Sequence, residues 1–185
     1  MKKAAASVLF LSALACAHPG HGAHGLVAGL VHPWTGIDHL SAMAAVGVWA
    51  SLMGRGRRWV PPVVFLSAMT LGFFLGWTGF VVPGTETGIQ LGLAMLGLAL
   101  AFRWAPRLPV VAVATGLCAF VHGQAHGAEV PSTASGAAFA VGFLVSTAAL
   151  HLAGMLLGSR LRERKLELRL AGMGLVALAG ALAIL

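Results

Sequence analysis

The chain has 185 residues, 58% of them hydrophobic and 9% charged, with a formal net charge of +7. So apolar a composition lies far from the soluble range and excludes an ordinary water-soluble domain. The basic balance would suit a nucleic-acid partner, but the placement of the charges along the chain explains it otherwise.

The first 17 residues have the pattern of an export signal: Lys2 and Lys3, an apolar core from Ala4 to Ala15, then Ala15-Cys16-Ala17 as a small-x-small cleavage site. Cleavage after Ala17 is expected, leaving a mature domain of residues 18–185 that starts at His18. An uncleaved anchor fits less well, because the apolar core is short for a span. A lipoprotein-type cut before Cys16 meets Ala13 where leucine is usual. Cys118 is then the one cysteine left, so no intramolecular disulfide is expected. His18, His21 and His24 follow the cleavage site in "HPGHGAHG". Such a tract either captures metal loosely, helped by the new amino terminus, or is an exposed tail.

Six apolar runs of near-spanning length come next, at about 26–52, 60–82, 87–104, 109–128, 134–158 and 167–185. Pro61-Pro62, Pro83-Gly84, Pro106 and Pro131 mark the breaks. Glycine is abundant, with 25 residues, as in close-packed membrane helices. Gly72, Gly76 and Gly79 place small residues along one face of the second run. The fold class predicted is all-α, a polytopic bundle of six transmembrane helices. The first linker carries Arg55, Arg57 and Arg58, and the third Arg103 and Arg107. The fifth carries Arg160, Arg162, Arg164, Lys165 and Arg169. The second and fourth carry no basic residue, but hold Glu86 and Glu129. Basic residues favour the cytoplasmic side, so both mature termini are expected in the periplasm. A multi-pass membrane location is expected. Orientation accounts for the basic charge, and a nucleic-acid partner is not expected.

Two polar clusters interrupt the apolar pattern. The first is "VHPWTGIDHLSAM", Val31 to Met43. At about 100° per residue, His39 lies at about −20° from His32 and Met43 at about +20°. These three residues form one stripe of possible ligands, with Gly36 leaving room between the histidines. Pro33 suits the first turn of a helix. Asp38 lies at about −120°, on another face of a regular helix. It can ligate from an unwound segment or orient His39.

The second cluster is "CAFVHGQAHGAEV", Cys118 to Val130. His126 lies at about +40° and Glu129 at about −20° from His122, so the three share one arc. The topology puts both clusters at the outer membrane boundary. They are expected to face each other, and ionisable groups inside a membrane mark functional sites. Cys118 is one turn from His122 and is either a soft ligand or a small apolar residue. His151, deeper in the fifth run, is either a step toward the interior or a helix–helix hydrogen-bond partner. Met69 and Met95 fit packing roles, and Glu86 and Gln90 fit a solvated boundary.

Imidazole with carboxylate suits nickel, cobalt, zinc, copper or iron better than magnesium or calcium. No nucleotide-binding motif occurs and the loops are short, so no ATPase activity or ATPase subunit is expected. Metal transport and an intramembrane metalloenzyme, with Glu129 as general base, both fit the ligands.

"HPWTGIDHLSAM" resembles the signature of the HupE/UreJ family of bacterial nickel/cobalt permeases, His-Pro-x-x-Gly-x-Asp-His-x-x-Ala-Met. It is matched by His32, Pro33, Gly36, Asp38, His39, Ala42 and Met43. The family's second motif, His-Gly-x-Ala-x-Gly-x-Glu, resembles His122, Gly123, Ala125, Gly127 and Glu129. A phenylalanine directly precedes the histidine in that pattern, whereas here Val121 separates Phe120 from His122. The resemblance implies uptake of Ni²⁺, and in some members Co²⁺, as transported substrate with no resident cofactor. It puts His32, Asp38 and His39 first as metal-binding residues, then His122, His126 and Glu129. Met43, His151, His18, His21, His24 and Cys118 are secondary candidates. A metal ion and membrane lipid are the partners expected.

Overall fold

The computed structural model describes residues 23–130 and 135–184. The expected leader, His18 and His21 lie outside the described residues, as does the side chain of His24. The described residues form helices α1 (Ala23–Thr35), α2 (Ile37–Leu52), α3 (Val60–Trp77), α4 (Thr85–Ala101), α5 (Leu108–Ala128), α6 (Gly136–Leu161) and α7 (Lys165–Leu182). No strand occurs among them. Three helices, α3, α5 and α6, are long and apolar enough to cross a membrane, and α2 and α4 are shorter apolar helices. The opening turns of α7 carry Lys165, Glu167 and Arg169.

The expected continuous span over 26–52 is instead two helices, α1 and α2, broken at Gly36. The cause is local. Pro33 lies in the last turn of α1, not in a first turn, and has no N–H to donate back to the Gly29 carbonyl. Thr35 Oγ1 donates to His32 O at 2.7 Å, covering a carbonyl freed at the helix end. Gly36 is extended at φ −102°, ψ 122°, and its carbonyl then accepts from Leu40 N to start α2.

The broken α1–α2 unit runs along α6, while α3 packs chiefly on α5 and α4 on α7. Glycine sets these pairings by letting backbones touch. A Cβ on Gly29 would collide with the Phe139 carbonyl, and one on Gly142 with that of Leu26. Gly47 and Gly154 repeat the reciprocal arrangement between α2 and α6. Gly72 and Gly76 face the carbonyls of Phe120 and Gln124, while Gly123 and Gly127 face those of Met69 and Phe73. Such approach maximises dispersion contact where lipid supplies no hydrophobic drive between helices. Gly79 does not join the face expected for it. It lies past the end of α3 with φ +88°, the left-handed conformation that glycine adopts without strain.

Large apolar side chains lie on the outside of the bundle as well as in its core. Leu71, Leu91, Phe102, Val113, Leu117 and Leu156 are exposed, while His122, His126, His151, Gln124 and Thr147 are buried. An apolar exterior around buried polar groups is the pattern of a chain solvated by lipid. Charge separates along the bundle. Arg103 Nη2 donates to Arg162 O at 2.8 Å, joining the α4–α5 and α6–α7 turns. Arg55 and Arg58 of the α2–α3 turn share a cleft with Arg162. The three basic turns therefore meet at one end of the bundle.

Gln90 is not simply solvated. Its Nε2 donates to Leu182 O at 3.2 Å and ties α4 to the end of α7.

Candidate metal centre

The break at Gly36 sets the two halves of the first motif against each other. His32 leaves the last turn of α1 and His39 the first turn of α2. The ring centroids of the two histidines are 6.2 Å apart. A Cβ on Gly36 would lie 2.8 Å from Asp38 Oδ1 and 3.4 Å from His39 Cγ, so only glycine leaves both side chains where they are. His126 arrives from the last turn of α5 and completes the group. One candidate ligand atom from each of His32, His39 and His126 falls within 4.8 Å of the others. Two nitrogens sharing one ion at ~2.1 Å each lie at most ~4.2 Å apart, and three around one ion lie closer, so the rings must draw together by about half an ångström or more to close on a cation.

The hydrogen-bond inventory points the same way. His32 Nε2 lies 2.7 Å from His126 Nδ1, a contact in which one nitrogen donates and the other accepts. His126 Nε2 and His122 Nε2 are buried with no partner. Buried polar atoms without partners are rare, and an absent ion is one of the ordinary reasons. Asp38 Oδ2 lies 3.0 Å from His39 Nδ1, close but off the line of a well-aligned hydrogen bond. The carboxylate thus sits behind the imidazole, where it can fix the ring and raise the basicity of the opposite nitrogen. Asparagine at this position keeps the shape and removes the charge. Asp38→Asn is expected to weaken nickel binding by about 10–100-fold, measured by titration of the purified protein.

Glu129 follows the end of α5, with an oxygen 3.9 Å from His32 Nε2. Burial pushes its carboxyl above the ordinary value; His39 opposes that, and Glu86 and Asp38 add to it. Glu86 acts from the exposed first turn of α4, at the same end of the bundle as Glu129, as the two linkers implied. The three carboxylates lie at the end opposite the basic turns.

The other expected residues are placed differently. His122 sits behind His39, at 5.6 Å between ring centroids, and its Nδ1 is held by the Cys118 carbonyl at 2.8 Å. Cys118 is buried, with Sγ 3.8 Å from His122 Nδ1 and no place in the three-histidine group. Met43 is fully buried and accepts from Thr147 Oγ1 at 3.3 Å, so it is part of the α2–α6 packing. His151 lies deeper on α6, with both ring nitrogens unpartnered. Phe65 packs on both His122 and His151, with its ring centroid 5.9 Å from the first and 5.0 Å from the second.

Several supporting residues carried no signal that had been read in the sequence. Phe139 and Phe143 stack at an interplanar angle of 20° and wall the His32–His126 pair. Gln124 is fully buried. Its Nε2 donates to Phe80 O at 3.0 Å, and its Oε1 accepts from Val82 N at 3.5 Å. It clips the α3–α4 turn to the end of α5. Its signal was available, because an amide inside an apolar span is costly without a partner.

The family model described as HupE / UreJ protein matches residues 6–183. Protein HupE of Rhizobium leguminosarum bv. viciae is 44% identical over 178 residues, covering 95% of this chain and 92% of that relative. No solved structure matches.

Proposed function

The chain belongs to the HupE/UreJ family, and from that premise we propose that it takes up Ni²⁺, with Co²⁺ as second substrate, across the bacterial inner membrane. The family is one of transport and accessory proteins associated with nickel and cobalt uptake, so the histidine group is read as a site for cargo rather than for turnover. The observation that carries the reading is the trio His32, His39 and His126, three imidazoles converging beside Glu129 with the buried Nε2 of His126 unpaired.

On this reading the protein has six crossings, the α1–α2 unit being one, with the acidic mouth in the periplasm and the basic turns in the cytoplasm. Glu86, Glu129 and Asp38 draw a dication to the mouth. The three histidines replace part of its water shell, and Asp38 holds His39 for the task. His122 receives the ion next. Phe65 blocks the way to His151, and its movement joins the two positions. Membrane potential can drive the passage: two charges gain about 4.6 kcal/mol per 100 mV, on the order of a thousandfold in concentration.

Purified protein in liposomes tests this. With the interior negative, Ni²⁺ should accumulate inside and the accumulation should rise with the imposed potential. Binding without movement would contradict the reading. The same vesicles give the pH dependence. Imidazole ligates only when neutral, so acidification opposes capture. The raised Glu129 carboxyl also gains its proton earlier on acidification than a free one. Both effects have one sign: uptake should fall as the outside pH is lowered at constant potential, with loss of the Glu129 charge coming first. Uptake that is unchanged or faster in acid would contradict the ligand assignment.

A further inference from the structure

At the basic end, a cleft of about 430 Å³ runs between α6 and the turn that follows α2. Its lining divides along the axis of α6. Leu152, Met155 and Leu156 give an apolar wall on α6, while Arg55, Arg58, Trp59 and Arg162 ring the outer rim. Leu152, Met155, Leu156 and Ser159 follow one another at helical spacing, so a single face of α6 forms the floor. From Leu152 to Arg162 the helix climbs about 15 Å. That matches half of the ~30 Å hydrocarbon core of a bilayer. Among the described residues no carboxylate lies within 4.0 Å of the guanidinium groups of Arg55, Arg58 or Arg162, whereas Arg164 is paired with Glu167 at 3.7 Å. Arg58 instead lies over the Trp59 ring, 5.4 Å from its centroid. An indole at this level is suited to the membrane interface.

We infer that this cleft is a binding site for one anionic phospholipid, with the phosphate among Arg55, Arg58 and Arg162 and an acyl chain along Leu152, Met155 and Leu156. The chemistry is complementary at both ends. Arginine forks match phosphate oxygens, and the apolar wall has the depth of one leaflet. A zwitterionic lipid brings its own cation to the rim and meets three like charges there. Free phosphate satisfies the rim but leaves the wall empty. The lipid would pin the α2–α3 turn to α6 at the end of the bundle away from the histidine trio.

Native mass spectrometry of the full chain, released from micelles with equal phosphatidylglycerol and phosphatidylcholine, tests the inference. One phosphatidylglycerol should be retained in preference to phosphatidylcholine, and millimolar inorganic phosphate should not displace it. The triple variant Arg55→Gln, Arg58→Gln, Arg162→Gln should weaken retention by about 100-fold, given the attraction typical of each basic residue near a lipid surface. The triple variant Arg57→Gln, Arg160→Gln, Arg164→Gln removes the same charge from the same end of the bundle outside the cleft and should retain the lipid. Leu156→Trp keeps every charge but fills the wall, and should also lose it. Equal retention of the two lipids, equal loss in both triple variants, or displacement by phosphate alone would overturn the assignment.

Discussion

Replacing His126 by alanine is expected to abolish nickel uptake and to weaken nickel binding by more than about 100-fold, beyond what loss of an outer-shell partner costs. The size of the effect follows from position. His126 is the member of the trio that touches both others, with ring centroids 4.6 Å from His32 and 4.4 Å from His39. It is also the one fully shielded from solvent. Removing it leaves two imidazoles on either side of a helix break and nothing on the opposite wall. His151→Ala controls for the loss of a buried ring. His151 is as deeply buried but outside the trio, so that variant should keep nickel affinity at the mouth while slowing passage. Loss of binding in both variants would point to collapse of the fold rather than to ligation.

Gly127→Ala is expected to be the most damaging of the conservative substitutions. A methyl at residue 127 would sit inside the Phe73 carbonyl and only 2.7 Å from Trp77 N, both of them backbone atoms of α3. Neither can rotate away, so α5 and α3 must part. Overpacking of this kind costs about 3 kcal/mol. For a chain of this size that corresponds to a midpoint about 10 °C lower in thermal unfolding. Because His126 is the preceding residue, the trio should open as well and uptake should fall with stability. Gly174→Ala is the matched control: a Cβ there meets nothing within 4 Å. It should leave both the unfolding midpoint and uptake unchanged or slightly improved, since alanine is the better helix former.

Much of this architecture was legible in the amino acids. The apolar runs located the helices, because a chain in lipid must satisfy its backbone within each segment. The spacing of His122 and His126 put both on one helix, and the alternation of arginine clusters foretold that the basic turns would share an end, as the Arg103–Arg162 contact now has it. The signature around His32 and His39 marked one side of the site. What spacing concealed was the break at Gly36. A regular helix would put His39 about 10.5 Å along the axis from His32, whereas the break leaves their ring centroids 6.2 Å apart. Period counting assumes an unbroken helix, and Pro33 with Gly36 removes that assumption. Met43 shows the opposite failure: it lies on the histidine stripe in a helical projection, but past the break it turns to Thr147. Glu86 and Gln90 were both read as boundary residues; Glu86 is exposed there, whereas packing ties Gln90 to α7. Phe65 had nothing to distinguish it from any other apolar residue until the helices were assembled around it.

The convergence of His32, His39 and His126 on one cation is most directly tested by nickel K-edge X-ray absorption on the purified full chain. His18, His21 and His24 should be replaced by alanine for this purpose, so that the N-terminal tract contributes no imidazole. The spectrum should show the multiple-scattering pattern of about three imidazoles, falling to two in His126→Ala wherever enough metal remains bound. A shell of water and carboxylate oxygens without imidazole, or a spectrum unchanged by His126→Ala, would contradict the account.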